Sequence, residues 1–239
     1  MGTLWRRLRG RRNALEAKPR EVIASIGDPF VDVLCSMYNG EPQLGIDGKT
    51  HSLDEITRVG PQQGMLIYRL IRETKPRNTL EIGLGFGFST IYFLAAIQAN
   101  GGGHHIAVDP YQYAWWHGIG VVREKVLGTE LGLFEFSQET SVQALARFAQ
   151  EQKRFGVIFI DGDHRFDGVL IDFSLASLVC EPGAYIILDD VWMPSIQRAL
   201  SFIRLNRADF TVVPTPVTNL AVFQKRGIDE RTWRHFIPF

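Results

Sequence analysis

Thr79-Leu80-Glu81-Ile82-Gly83-Leu84-Gly85-Phe86-Gly87-Phe88-Ser89-Thr90 reads as a short buried strand that runs into three alternating glycines and then opens a helix. With no side chains at Gly83, Gly85 and Gly87, a ligand can lie directly against the backbone, and glycine permits the unusual dihedrals such a turn needs. The dinucleotide-binding spacing G-x-G-x-x-G would require glycine at position 88, which is Phe88. The spacing is instead E-x-G-x-G-x-G, with Glu81 two residues ahead of the first glycine. A pyrophosphate is drawn to a helix N-terminus and its dipole. An ammonium group is drawn to backbone carbonyls and to an acid such as Glu81.

Outward from this loop the chain alternates strand and helix. Apolar runs predict strands at 79–83, 104–109, 132–136, 156–161 and 183–189, with helices at 88–99, 117–127, 139–152, 165–179 and 194–206. Upstream, Pro61 to Thr74 reads as a helix with proline in its first turn and Leu66, Ile67, Leu70 and Ile71 on its apolar face. Two final strand-like runs, 209–214 and 219–225, have Pro214 and Pro216 between them and no helix, which predicts an antiparallel ending. The expectation is an α/β fold: a Rossmann-like, doubly wound, mainly parallel seven-stranded sheet with its last strand antiparallel and helices on both faces. Residues 21–60 carry short helical pieces, including Pro29 to Tyr38, and a loop from Glu41 to Lys49. They read as a helical cap over a main domain at 61–239, behind a basic tail at 1–20.

In an open parallel sheet, ligands bind beyond the carboxyl ends of the strands. After the second strand come Asp109 and Pro110, with Asp109 lying 22 residues beyond Gly87. That position suits a carboxylate that accepts ribose hydroxyls, or a turn-forming Asp-Pro pair. After the third come Ser137 and Gln138, where Ser137 could also cap the next helix. After the fourth comes Asp161-Gly-Asp163-His164, and after the fifth comes Asp189-Asp190-Val191-Trp192. If these two strands are neighbours, their ends lie about 5 Å apart, and Asp161, Asp189 and Asp190 converge. Three uncompensated carboxylates would repel. A hard divalent cation, Mg²⁺ first and Mn²⁺ or Ca²⁺ next, resolves the conflict. The alternative is helix capping at two unrelated strand ends, with the acids solvated. Trp115, Trp116 and Trp192 are weaker candidates for an acceptor pocket, against ordinary aromatic packing.

The glycine loop resembles motif I of the class I S-adenosylmethionine-dependent methyltransferases. The likeness covers about residues 60–225. It implies S-adenosylmethionine as cofactor, held by Glu81, Gly83, Leu84, Gly85, Gly87, Ser89, Asp109, Pro110 and Asp161. Ser137 and Gln138 resemble the adenine-contacting segment of catechol O-methyltransferase. An Asp after strand four and an acidic pair after strand five are similar to the metal-dependent catechol and caffeoyl-CoA O-methyltransferases. Ile160-Asp-Gly-Asp-His164, the pair Asp189-Asp190 and the upstream Val59-Gly-Pro-Gln-Gln-Gly64 resemble more closely the macrocin-type enzymes of the methyltransferase 24 group. In catechol-type enzymes a lysine stands three residues after the first metal acid. Here that residue is His164, which the resemblance makes the general base, acting with Asp161. The implied reaction is O-methylation of a small hydroxylated molecule, a sugar, polyketide or phenolic compound. Two alternatives stay open: a cephalosporin-hydroxylase-like metal enzyme on the same fold, and a non-catalytic adenosylmethionine- or RNA-binding module.

Composition narrows the partners. The chain has 239 residues and zero formal net charge, which argues against a large nucleic-acid surface. Residues 1–20 hold Arg6, Arg7, Arg9, Arg11, Arg12, Lys18 and Arg20 against Glu16, a net of +6 that the rest of the chain offsets. This tail reads as solvated chain, or as a weak attachment to acidic lipid or RNA. No apolar run reaches membrane-spanning length, no signal-peptide core follows the arginines, and two cysteines make no disulfide framework. A cytoplasmic location is the resulting expectation. Trp233 to Phe239 reads as a segment that docks on its own chain or across a homodimer.

Overall fold

The computed structural model describes residues 19–54, 57–124, 127–128 and 132–239. The basic run lies almost wholly outside them. Near the N-terminus, helices α1 (Pro19–Ile23) and α2 (Phe30–Tyr38) flank a short 3₁₀ turn. A hairpin of two-residue strands follows, β1 (Gln43–Leu44) and β2 (Thr50–His51), where a plain loop is expected from sequence. Strands this short have no room for an alternating pattern. Ile23, Phe30, Leu34 and Met37 bury their side chains in the same core as one face of the main sheet.

The main sheet comprises β3 (Asn78–Ile82), β4 (His104–Val108), β5 (Phe134–Ser137), β6 (Phe155–Ile160), β7 (Cys180–Leu188), β8 (Phe210–Val213) and β9 (Ala221–Lys225). Their spatial order is β5-β4-β3-β6-β7-β9-β8. Only β9 runs against its neighbours, and it sits between β7 and β8. β7 begins earlier than the apolar run indicates, because Pro182 and Gly183 are absorbed at a register irregularity in the β6–β7 ladder. Such a slip lets a strand carry proline without breaking its pairing.

Successive side chains of each strand face opposite layers. Leu80, Ile82, Ile106 and Val108 pack with Phe148, Phe173 and Leu200 of α7 (Ser141–Gln150), α8 (Phe166–Val179) and α9 (Pro194–Asn206). Ala107, Val157, Phe159 and Ile187 pack with α3 (Pro61–Thr74) and α4 (Phe88–Ala99) on the other face. α4 is buried from Phe88 through Ile97, so it is apolar all round and shows no helical stripe. Gly64 is where α3 crosses it: a Cβ there would stand 2.1 Å from the Tyr92 ring. Two short helices, α5 (Gln112–Trp115) and α6 (Ile119–Glu124), replace the single helix predicted at 117–127.

The C-terminal segment docks on its own chain. Asn206 exchanges two hydrogen bonds with the Ile237 backbone, and Phe239 packs near Phe166, Phe202 and Phe236. No helix among the described residues is long and apolar enough to cross a membrane.

Candidate active site

The carboxyl ends of β3, β4, β6 and β7 open into one cavity of about 1090 Å³. That is slightly above the usual range for ligand pockets, roughly 300–1,000 Å³, and leaves room for two ligands.

One end of it is built on the glycine loop. Gly83, Gly85 and Gly87 all have left-handed φ, +95°, +52° and +83°. Their reasons differ. A Cβ on Gly83 would lie 2.3 Å from the Asp161 carbonyl oxygen, so this glycine lets β3 and β6 close on each other. A Cβ on Gly85 would meet nothing within 4 Å, so this one faces the space a ligand would fill. Leu84, Ser89, Asp109 and Pro110 line the same end. Asp109 accepts from the Gly85 amide at 3.0 Å, the Tyr111 amide at 2.7 Å and Gln112 Nε2 at 3.1 Å. A carboxylate offers about four lone-pair sites, so capacity for a hydroxyl remains. Gln112 also donates to the Gly85 carbonyl at 2.6 Å and so holds acid and loop together.

Glu81 and Gly87 are not among the lining residues. The Glu81 side chain is fully buried under the loop, where one oxygen accepts from Thr90 Oγ1 and lies 3.4 Å from His105 Nε2. His105 is itself buried, against Thr79 Oγ1 and the Phe93 ring. The other oxygen of Glu81 has no partner among the described residues, an acceptor left over beside a loop that suits an ammonium-bearing ligand. Ser137 and Gln138 also stay off the cavity wall. Ser137 Oγ donates to Glu139 at 2.6 Å and accepts from Arg147 at 3.1 Å. Thr140, not Ser137, caps α7, through a reciprocal pairing with Gln143, and Thr140, Ser141 and Val142 line the cavity instead.

At the other end, β6 and β7 are neighbours, with Ile160 paired to Leu188, and so deliver their acids to one spot. Ligand atoms of Asp161, His164 and Asp190 all lie within 4.8 Å of one another. His164 Nε2 is 3.2 Å from Asp161 Oδ1 and 3.6 Å from Asp190 Oδ2. Burial pushes the Asp161 carboxyl up to about 6, partly offset by His164 and reinforced by Asp190 and Glu81. The Asp161 contact raises the His164 imidazole above its ordinary value. Asp190 adopts a left-handed φ of 52°, rare for any residue with a side chain. Trp192 Nε1 donates to Asp190 Oδ1 at 2.7 Å, and Trp115, Trp116 and Trp192 all line the cavity.

Asp189 differs from its neighbour. It lies outside the cluster of converging ligand atoms. Its Oδ1 accepts from Gln63 Nε2 at 2.6 Å, Asn219 Nδ2 at 2.9 Å and the Asp190 amide at 2.6 Å. The carboxylates of Asp161 and Asp190, closing on one point beside a raised carboxyl pKa, fit a hard divalent cation, which would relieve the crowding of charge. Gln63, Gln112 and Asn219 went unread in the sequence. Gln63 alone stood in a segment that carried a resemblance, Val59 to Gly64.

Residues 80–191, just under half of the chain, match a family model for a methyltransferase domain, that of the methyltransferase 24 group. These residues are similar to a methyltransferase domain. Solved methyltransferases share its fold. The O-methyltransferase TomG of Streptomyces achromogenes, involved in tomaymycin synthesis and solved with SAM, is 17% identical at a TM-score of 0.65, over 89% of this chain and 100% of that one. An O-methyltransferase of Bacillus cereus in complex with SAH is 19% identical at 0.60, over 94% and 98%. The SAH-bound methyltransferase PaMTH1 of Podospora anserina is 12% identical at 0.63, over 95% and 97%. No curated protein matches the chain. Neither the fold nor these likenesses favour the hydroxylase-like or the non-catalytic alternative.

Proposed function

We propose that this protein transfers the methyl group of S-adenosylmethionine to a hydroxyl of a small molecule, with a divalent cation of the Mg²⁺ class at Asp161 and Asp190. The observation that carries the reading is the meeting of Asp161, His164 and Asp190 in the same cavity as the glycine loop. Gly85 and Asp109 would hold the nucleoside, and the unpartnered oxygen of Glu81 adds negative potential beneath the amino-acid portion. A Mg²⁺ ion held by Asp161 and Asp190 would supply a Lewis acid that makes the acceptor hydroxyl easier to deprotonate.

His164 then takes the hydroxyl proton on Nδ1, while Asp161, 3.2 Å from Nε2, orients the ring and stabilises the imidazolium. The acceptor oxygen forms its bond to the methyl carbon as the carbon–sulfur bond breaks, and the electron pair stays on sulfur. S-Adenosylhomocysteine and a methyl ether are the products. Much of the acceleration comes from holding donor and acceptor in line. Trp192, tied to Asp190, forms a wall for the acceptor beside the acids. Sugars, polyketides and phenols are the acceptor classes this reading takes in.

Calorimetric titration with S-adenosylmethionine should give saturable heat; none at millimolar ligand refutes the cofactor. Methyl transfer to a panel of hydroxylated acceptors should stop with EDTA and return with Mg²⁺. Full activity in chelator removes the cation from the mechanism.

A further inference from the structure

Asp189 and Asp190 are adjacent acids on one strand end, and the side chains holding Asp189 come from far along the chain. Gln63 lies in the first turn of α3, 126 residues from Asp189. Its Oε1 accepts from the Gly60 amide at 2.8 Å, which fixes the orientation of the side chain and turns Nε2 onto Asp189 at 2.6 Å. Asn219 lies just before β9. Its Nδ2 reaches Asp189 Oδ1 at 2.9 Å and Asp190 Oδ1 at 3.2 Å, so one amide spans both acids. The Asn219 carbonyl oxygen in the side chain is buried without a partner among the described residues, whereas its nitrogen meets two carboxylates. The reverse orientation would set oxygen against oxygen.

We propose that Gln63 and Asn219 are positioning residues for the cation site: their amides hold Asp189 and Asp190 so that Asp190, with Asp161, is set to receive a divalent ion. This rests on the cation reading above. Three donors on a single oxygen of Asp189 fix its rotamer. The shared amide of Asn219 sets the angle between the two acids and offsets their repulsion. Partners of this kind orient ligands before the ion arrives, and losing one costs about 10–100-fold in metal affinity. Because Gln63 also ties down Gly60, at the join between cap and domain, the same side chain links the cap to the acids.

Mn²⁺ is the probe, followed by electron paramagnetic resonance in the full-length protein. Gln63→Met keeps the length of the side chain and removes the donor; Asn219→Ser shortens it on a different element. Each should weaken Mn²⁺ binding about 10–100-fold and alter the spectrum of the bound ion, with calorimetric affinity for S-adenosylhomocysteine retained. A fold lost in one variant leaves the other to decide. Mn²⁺ affinity and spectrum unchanged in a folded variant, alongside a wild type that binds Mn²⁺, overturn that residue's role. A wild type that binds no Mn²⁺ refutes the cation reading and the positioning role with it.

Discussion

The two ends of the cavity are made differently. The nucleoside end is mostly backbone, laid down by residues close together in sequence: a strand, a glycine loop and an acid that accepts from the loop's own Gly85 amide. The acid end is mostly side chain, assembled from β6, β7, α3 and the β8–β9 connection. A backbone site is specified by where side chains are missing. A side-chain site is specified by which remote segments meet. The first tolerates little change within one short motif, and the second depends on the whole sheet order.

The largest effect that would test this contrast belongs to the acid end. His164→Ala should lower kcat by about 10²–10⁴ with the heat of S-adenosylmethionine binding unchanged. A loss of cofactor affinity of the same size would mean that the two ends are not separable.

The glycine loop offers a sharper comparison within one motif. Gly83→Ala drives a Cβ into the Asp161 backbone and should cost roughly 2–4 kcal/mol of stability, read by denaturant unfolding. Gly85→Ala meets open space, so only the left-handed strain of about 1 kcal/mol falls on stability, while calorimetric cofactor affinity drops. Equal losses of stability in the two variants would contradict the distinct reasons assigned to these glycines.

The smallest effect lies outside both ends and gauges the scaffold. Asp172 on α8 is buried, with one oxygen lacking a partner among the described residues, and burial pushes its carboxyl up to about 6 against a partial offset from Ser141. Its folded pKa therefore exceeds the unfolded value of 3.8. Below both values the group is neutral in either state and costs nothing. As pH rises between them the unfolded chain releases its proton first, so folding loses stability, and the penalty is complete above about 6. Asp172→Asn should raise the melting temperature at pH 7.5, by ~1–3 kcal/mol in free energy, with the gain shrinking toward pH 4. A gain independent of pH would point to packing instead of charge.

What could be read without coordinates follows the same division. The strand and helix order was legible because each strand is an apolar run and most helices carry a stripe, although α4, buried on every side, is marked only by the loop that opens it. The reversed last strand was legible from two strand-like runs with no helix between them. Pro182-Gly183 hid the start of β7, because tolerance of a break depends on the neighbouring strand. Ser137 stood where a cap is expected, yet Thr140 makes the cap and Ser137 joins Glu139 and Arg147. A hydroxyl three residues off in register has the same chemistry, and only packing selects between them.

The amino-acid sequence by itself determined the loop, its departure from dinucleotide spacing, and the presence of acids at the ends of β6 and β7. These rest on local backbone freedom and on the two-residue period of a strand. Only the tertiary structure decided that Gly83 serves strand packing while Gly85 faces the cavity. It alone set Asp161 and Asp190 around His164 and gave Asp189 to the amides of Gln63 and Asn219. The physical reason is distance: hydrogen bonds reach about 3 Å, and which groups come that close across more than a hundred residues is fixed by the order of strands in the sheet.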